Sequence, residues 1–243
     1  MATAKSKTAA LRVPADEKVI SDIIADVELR EEILGRIDLL LVGTAPLIVN
    51  NWSHKALEAL RGQQRKLPKA PRSAKDPEAE FNAARYRMAD GQDAVPANGL
   101  KGAFVAGARF IGGSKELNMT VLRGALRVQA DEPRTNLMRL YAPDPVMRED
   151  KVRVGAGMAK TVDLRYRPEY WPWFLKVHVT FPATMFTGDQ IVDLIKAAGT
   201  FNGFCEWRPG SPISVTGSYG TFTVGNAQDE RDFEAAYKVK IHA

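Results

Sequence analysis

The sequence predicts an α+β fold in which an antiparallel sheet carries helices on one face and large loops are inserted between its elements. Three observations predict it. Residues 37–42 (IDLLLV) and 174–181 have the apolar, β-branched composition of strands. In the second, Leu175, Val177, Val179 and Phe181 alternate with Lys176, His178 and Thr180, the period of a half-buried pleat. Between Thr187 and Val224 the chain then reads as a helix, a glycine-punctuated loop and a short strand, which after the strand at 174 makes half of a split βαβ unit.

That last stretch is the best specified. Thr187 and Gln190 stand at capping-box spacing, where each side chain can satisfy a backbone donor of the other's turn. Ile191, Leu194, Ile195 and Ala198 recur at helical spacing, and Gly199 is the expected stop. Gly203, Gly210, Gly217 and Gly220 punctuate the loop before Phe222 and Val224.

Taken in order, residues 1–14 read as a small, polar, basic arm. Residues 16–34 read as an amphipathic helix with Val19, Ile20, Ile23, Ile24, Val27 and Ile33 on one face. Residues 1–36 therefore form an N-terminal arm and helix, and residues 37–243 one domain. After the first strand, GTAPLIVNNW is an extended turn, and a short helix runs from Ser53 through Leu57 and Leu60. Residues 61–98 read as an inserted basic loop, because Pro68, Pro71 and Pro77 interrupt any long helix, with a short helix from Asp76 to Met88. Asn98 is the expected cap of the next helix, whose buried stripe is Leu100, Phe104, Ala108 and Ile111 and whose end is Gly112–Gly113. A strand is expected at 121–128, a second insertion without regular structure at 143–173, and a last strand at 233–241.

Composition narrows the function. The chain has 243 residues, of which 45% are hydrophobic and 26% charged, enough for one sizeable core, or two small fused ones, in a soluble protein. Its net charge of +5 suits a polyanionic partner. The single cysteine, Cys205, rules out an internal disulfide framework and points to a reducing, cytoplasmic setting, a host cytoplasm if the gene is viral. No apolar run reaches the length of a membrane span, and the N-terminus lacks the apolar region of a secretory signal. His54, His178 and His242 are scattered without zinc-ligand spacing, so neither a metal nor another cofactor is expected. Neither a G-x-S-x-G elbow nor a phosphate-binding G-x-x-x-x-G-K-[ST] loop occurs. Glu149, Asp150 and Asp163 are the acids available to a metal-dependent nuclease, but they sit among arginines, where salt-bridging accounts for them. A non-catalytic role is expected.

Binding to single-stranded nucleic acid has positive support. In residues 143–173, Arg148, Lys151, Arg153, Arg165 and Arg167 interleave with Tyr166, Tyr170, Trp171 and Trp173. Guanidinium groups pair phosphates bidentately, and aromatic faces stack bases of any sequence. Lys55, Arg61, Arg109 and Arg208 extend this candidate set along the chain.

Three stretches resemble a known superfamily. The strand running into GTAPLIV, the segment VPANGLKGAFVAGARF, and the late loop GSYGTF are together similar to the RAMP superfamily, whose members form the backbone of CRISPR effector complexes. MREDKVRVG, DLRYRPEYW and GFCEWRPGSPISVTGSYGTF also resemble a family of phage and prophage proteins. The RAMP resemblance implies a modified ferredoxin-like (RRM-like) fold, with subunits side by side along single-stranded nucleic acid. It also implies that Lys101 and the backbone near Gly217 and Gly220 lie close to that strand. No acid or histidine stands in a matched motif, so cleavage is not implied. The alternative expectation is a phage structural or interaction protein that self-assembles without nucleic acid.

Overall fold

The computed structural model describes residues 33–51, 54–68, 74–111, 117–154, 161–213 and 216–242. The expected N-terminal arm, and the amphipathic helix up to residue 32, lie outside these. The elements in chain order are β1 (Leu34–Gly43), β2 (Leu47–Ile48), α1 (His54–Gln64), α2 (Pro77–Ala83), β3 (Tyr86–Arg87), β4 (Asp93–Pro96) and α3 (Ala97–Gly107). They continue with α4 (Met119–Ala125), β5 (Arg127–Val128), β6 (Leu137–Arg139), β7 (Val146–Val154), β8 (Thr161–Tyr170) and β9 (Phe174–Pro182). The last are α5 (Gly188–Ala197), β10 (Phe222–Val224) and α6 (Ala227–Tyr237).

The central sheet has the order β10-β1-β9-β5, with every neighbour antiparallel. The segment with α3 joins β1 to β5 across β9, and α5 joins β9 to β10 across β1. Two interleaved split βαβ units are the ferredoxin-like topology, so the predicted α+β class holds. Two smaller antiparallel sheets, β2-β8-β7 and β3-β4-β6, are built from the segments between these elements.

Register sets the core. Leu39 lies opposite Val177 and Leu41 opposite Leu175. This face packs on Leu100 and Phe104 of α3 and on Ile191, Leu194 and Ile195 of α5. Alternate residues point the other way, and Leu40, Val42 and Phe174 meet Phe233 and Tyr237 of α6 together with Tyr141 and Ile241. One helix thus covers part of the second sheet face, where all helices were expected on the first.

Several local expectations give way. Residues 121–128 are mostly helix, since the Asn118 side chain caps α4 by accepting from the Thr120 amide. Residues 233–241 hold the end of a helix and not a strand. Asn226 and Asp229 form its capping box, Phe233 is its buried contact, and Lys238 closes it in a left-handed conformation with φ 55°. The cap of α3 is Pro96, two residues before Asn98. Asp76 does cap α2, accepting from the amides of Glu78 and Ala79, but that helix ends at Ala83. Within 143–173, residues 146–154 and 161–170 pair as the long strands β7 and β8, from Val146↔Glu169 to Val154↔Thr161.

The helix α5 does not stop at Gly199 but continues as a π-turn over Ala198–Asn202 and ends at Gly203, with φ 66°. Close packing requires small residues here. A Cβ on Gly107 would lie 2.8–2.9 Å from Cβ, Cα and N of Ala198, and one on Gly199 would collide with the Phe222 carbonyl. Gly107→Ala is therefore expected to lower stability by about 1–3 kcal/mol, measured by urea unfolding. Gly102→Ala, where a Cβ meets nothing within 4 Å, is the neutral control.

Candidate nucleic-acid interface

Register divides the β7–β8 hairpin into two chemically different faces. Arg148 lies opposite Arg167 and Asp150 opposite Arg165 on one; Glu149 opposite Tyr166, Lys151 opposite Leu164 and Arg153 opposite Val162 share the other. The first face is an ion-pair ladder. Arg148 donates to Asp150 at 2.7 Å and to Glu169 at 2.7 Å. Arg167, 3% exposed, has Asp150 at 3.6 Å and Glu206 at 3.8 Å. These separations are ion-pair contacts too long for hydrogen bonds, and Arg167 Nε and Nη1 and Asp150 Oδ2 are buried without one.

Desolvation pulls both guanidiniums toward the neutral form. At Arg148 the hydrogen bonds it donates to Asp150 and Glu169, with that to Tyr219, outweigh it and hold the pKa above the usual arginine value. At Arg167 burial wins over the Glu206 and Asp150 charges, and the pKa is lowered. Removing the acid the two arginines share leaves a buried cation without compensation. Asp150→Ala is expected to cost about 3–5 kcal/mol by chemical denaturation.

The same arginine holds the glycine loop. The Arg148 guanidinium carbon is 4.8 Å from the Tyr219 ring centroid and 5.9 Å from that of Trp207, and the two rings meet edge-on at 6.5 Å. The loop is closed by its own backbone. Phe204 N donates to Gly220 O, Tyr219 N to Trp207 O, and Glu206 N to Ile48 O. A Cβ on Gly217 would strike the Trp207 carbonyl, and one on Gly220 (φ 64°) the Phe204 carbonyl. The Gly220 amide donates to Pro46 O at 2.8 Å. Gly217 and Gly220, the expected neighbours of a nucleic-acid strand, are required here by the loop's own closure.

Two adjoining clefts flank this loop. One, of about 580 Å³, is lined by Gly99, Gly102, Ala103 and Arg109 from the α3 side and by Cys205 and Arg208 from the loop. The other, of about 550 Å³, is lined by Lys75, Glu80, Asp163, Arg165, Tyr166 and Arg167. Asn50 and Glu206 line both.

The candidate residues distribute unevenly. Arg109, Arg165, Tyr166 and Arg208 come together along the clefts, although Arg208 also donates to Cys205 O. Lys151 and Arg153 are exposed on the opposite hairpin face, and Arg61 is exposed at the end of α1. The side chain of Lys55 lies outside the described residues. Lys101 donates to the Arg123 carbonyl at the end of α4. Arg148 and Arg167 are committed to internal acids, so they cannot both lie free along an outer groove. Trp171 is 51% exposed, beside the cis Trp171–Pro172 peptide. Trp173 is in the core, with Nε1 donating to Ala45 O at 2.8 Å. Burial pushes the Tyr170 hydroxyl pKa up, and the Asp93 charge adds to it.

Sequence reasoning missed Asn50, Lys75, Phe110, Phe201 and Glu206 as parts of this region. Lys75 belongs to the inserted basic segment, and the structure ties it to Asp163 at 2.7 Å, fastening the α2 segment to β8. Glu149 points away from Asp150 on its strand, and among the described residues no group of three or more His, Cys, Asp or Glu could hold a metal ion. Among those residues, too, no helix is long and apolar enough to cross a membrane. The Cys205 thiol is pushed up by burial, with Glu206 adding to the shift. Its thiolate fraction near neutral pH is correspondingly small. Alkylation of the native protein at pH 8 is expected to be at least about tenfold slower than after unfolding in urea.

No protein-family model and no curated protein matches the chain. Among solved structures, the chain is similar to Cmr6 from Pyrococcus furiosus at 12% identity and a TM-score of 0.34, over 79% of this chain and 99% of that one.

Proposed function

We propose that the protein binds single-stranded DNA or RNA along the two joined clefts beside the glycine loop, without cutting it, and that copies lie side by side on the strand. One observation carries this reading. Apart from Arg167, which internal acids hold, four cations (Lys75, Arg109, Arg165 and Arg208) line the joined clefts against three acids (Glu80, Asp163 and Glu206). Arg109 and Arg165 are the cations best suited to phosphates. The hydrogen bond Arg109 makes among the described residues is to Met119 Sδ at 3.4 Å, a weak acceptor. Each cleft falls within the range of about 300–1,000 Å³ common for ligand sites. Lys151, Arg153 and Trp171 offer further exposed cationic and aromatic contacts on the hairpin and its corner. Side-by-side assembly is favoured by Leu57 and Leu60, both solvent-exposed on α1 next to Arg61.

The test is fluorescence anisotropy with labelled single-stranded DNA and RNA at rising salt. Binding should weaken at least about tenfold between 50 and 200 mM salt. Arg109→Ala and Arg165→Ala should each reduce the salt slope by about one, while Arg61→Ala, outside the clefts, should change it less. Absence of salt-sensitive binding to either polymer overturns the proposal. Oligomers that persist unchanged in nuclease-treated protein, with no binding, would favour self-assembly without nucleic acid.

A further inference from the structure

Two phenylalanines next in sequence to residues that line the first cleft have no role in the core. Phe110 is 46% exposed and Phe201 is 51% exposed, yet their rings lie side by side with centroids 5.1 Å apart and planes tilted by 30°. Phe110 ends the 3-10 turn that follows α3, and Phe201 sits in the π-turn that follows α5. The tight packing of Gly107 on Ala198 fixes these two turns against each other, and that of Gly199 on Phe222 fixes the second against β10. The rings are therefore held on rigid backbone, and π-turns of this kind recur at functional sites.

Their chain neighbours open directly onto the cleft. Arg109 precedes Phe110, and Asn202 and Gly203 follow Phe201; all three line it. The floor beside them is small: Gly99, Gly102, Ala103 and Ala106, with open space over Gly102. An exposed ring pair adjoining in sequence the cleft-lining Arg109 and Asn202 matches the chemistry of a nucleotide, with a flat base on one side and an anionic phosphate on the other.

We propose that Phe110 and Phe201 form a stacking platform for an unpaired base, with Arg109 and Arg208 meeting the flanking phosphates. This inference rests on the single-strand reading above and deepens it by naming where a base is held. The ion-pair ladder and the core withdraw Arg167 and Trp173 from that task, and this pair takes it over.

The test uses the full chain and an oligothymidine strand carrying one 2-aminopurine, whose fluorescence falls on stacking. Wild-type protein should bind and quench it. The double variant Phe110→Ala/Phe201→Ala should bind about tenfold or more weakly, with an unchanged salt slope and no quenching. Phe110→Leu/Phe201→Leu keeps apolar bulk without a π-face and should lose quenching while melting at the wild-type temperature. Wild-type binding with equal affinity and quenching in both variants overturns the platform and leaves the single-strand reading standing. No binding by wild-type protein overturns both. If the variants instead convert a nucleic-acid-free oligomer to monomer, the pair is a contact between copies and the platform is overturned.

Discussion

The antiparallel pairing of β1 with β9 is the constraint on which the rest of the structure depends. Its register, from Leu34↔Pro182 to Val42↔Phe174, sends alternate residues to opposite faces. Leu39, Leu41, Leu175 and Val177 face α3 and α5, while Leu40, Val42 and Phe174 face α6. A slip of one residue would exchange the two sets and leave both layers without a partner. The helix layer in turn brings the ends of α3 and α5 together, and the first cleft and the exposed ring pair are built there.

The elements readable from sequence were those with one dominant signal. β9 alternates cleanly, and the α5 capping box is present as its spacing implied, with Thr187 accepting from the Gln190 amide at 3.3 Å and Gln190 accepting from Thr187 N at 2.9 Å. The β7–β8 hairpin was unreadable because its stabilising pairs are ionic on one face and mixed on the other, so no apolar alternation marks it. At α6, Phe233 and Tyr237 lie one helical turn apart and also satisfy a period of two, so the strand pattern was a coincidence that the Asn226 cap resolves. The glycine loop was located correctly, but its glycines answer to close contacts inside the loop, which sequence spacing does not encode.

The candidate site was legible as composition and not as geometry. Basic and aromatic residues do converge around the loop, as Arg109, Arg165, Tyr166 and Arg208 illustrate. Which of them remain free depends on long-range partners. Asp150, adjacent in sequence to cationic Lys151, spends its charge on Arg148 and Arg167 instead. Phe110 and Phe201, 91 positions apart, carry no local signal at all; only the packing of Gly107 on Ala198 brings their turns together.

The outermost strands of the central sheet are short, β5 with two residues and β10 with three. Such brief margins offer a neighbouring chain little unpaired backbone to extend. The long open edge lies instead in the second sheet, where β7 is the outer strand with nine residues, so the backbone available for pairing sits on the hairpin and not on the central sheet.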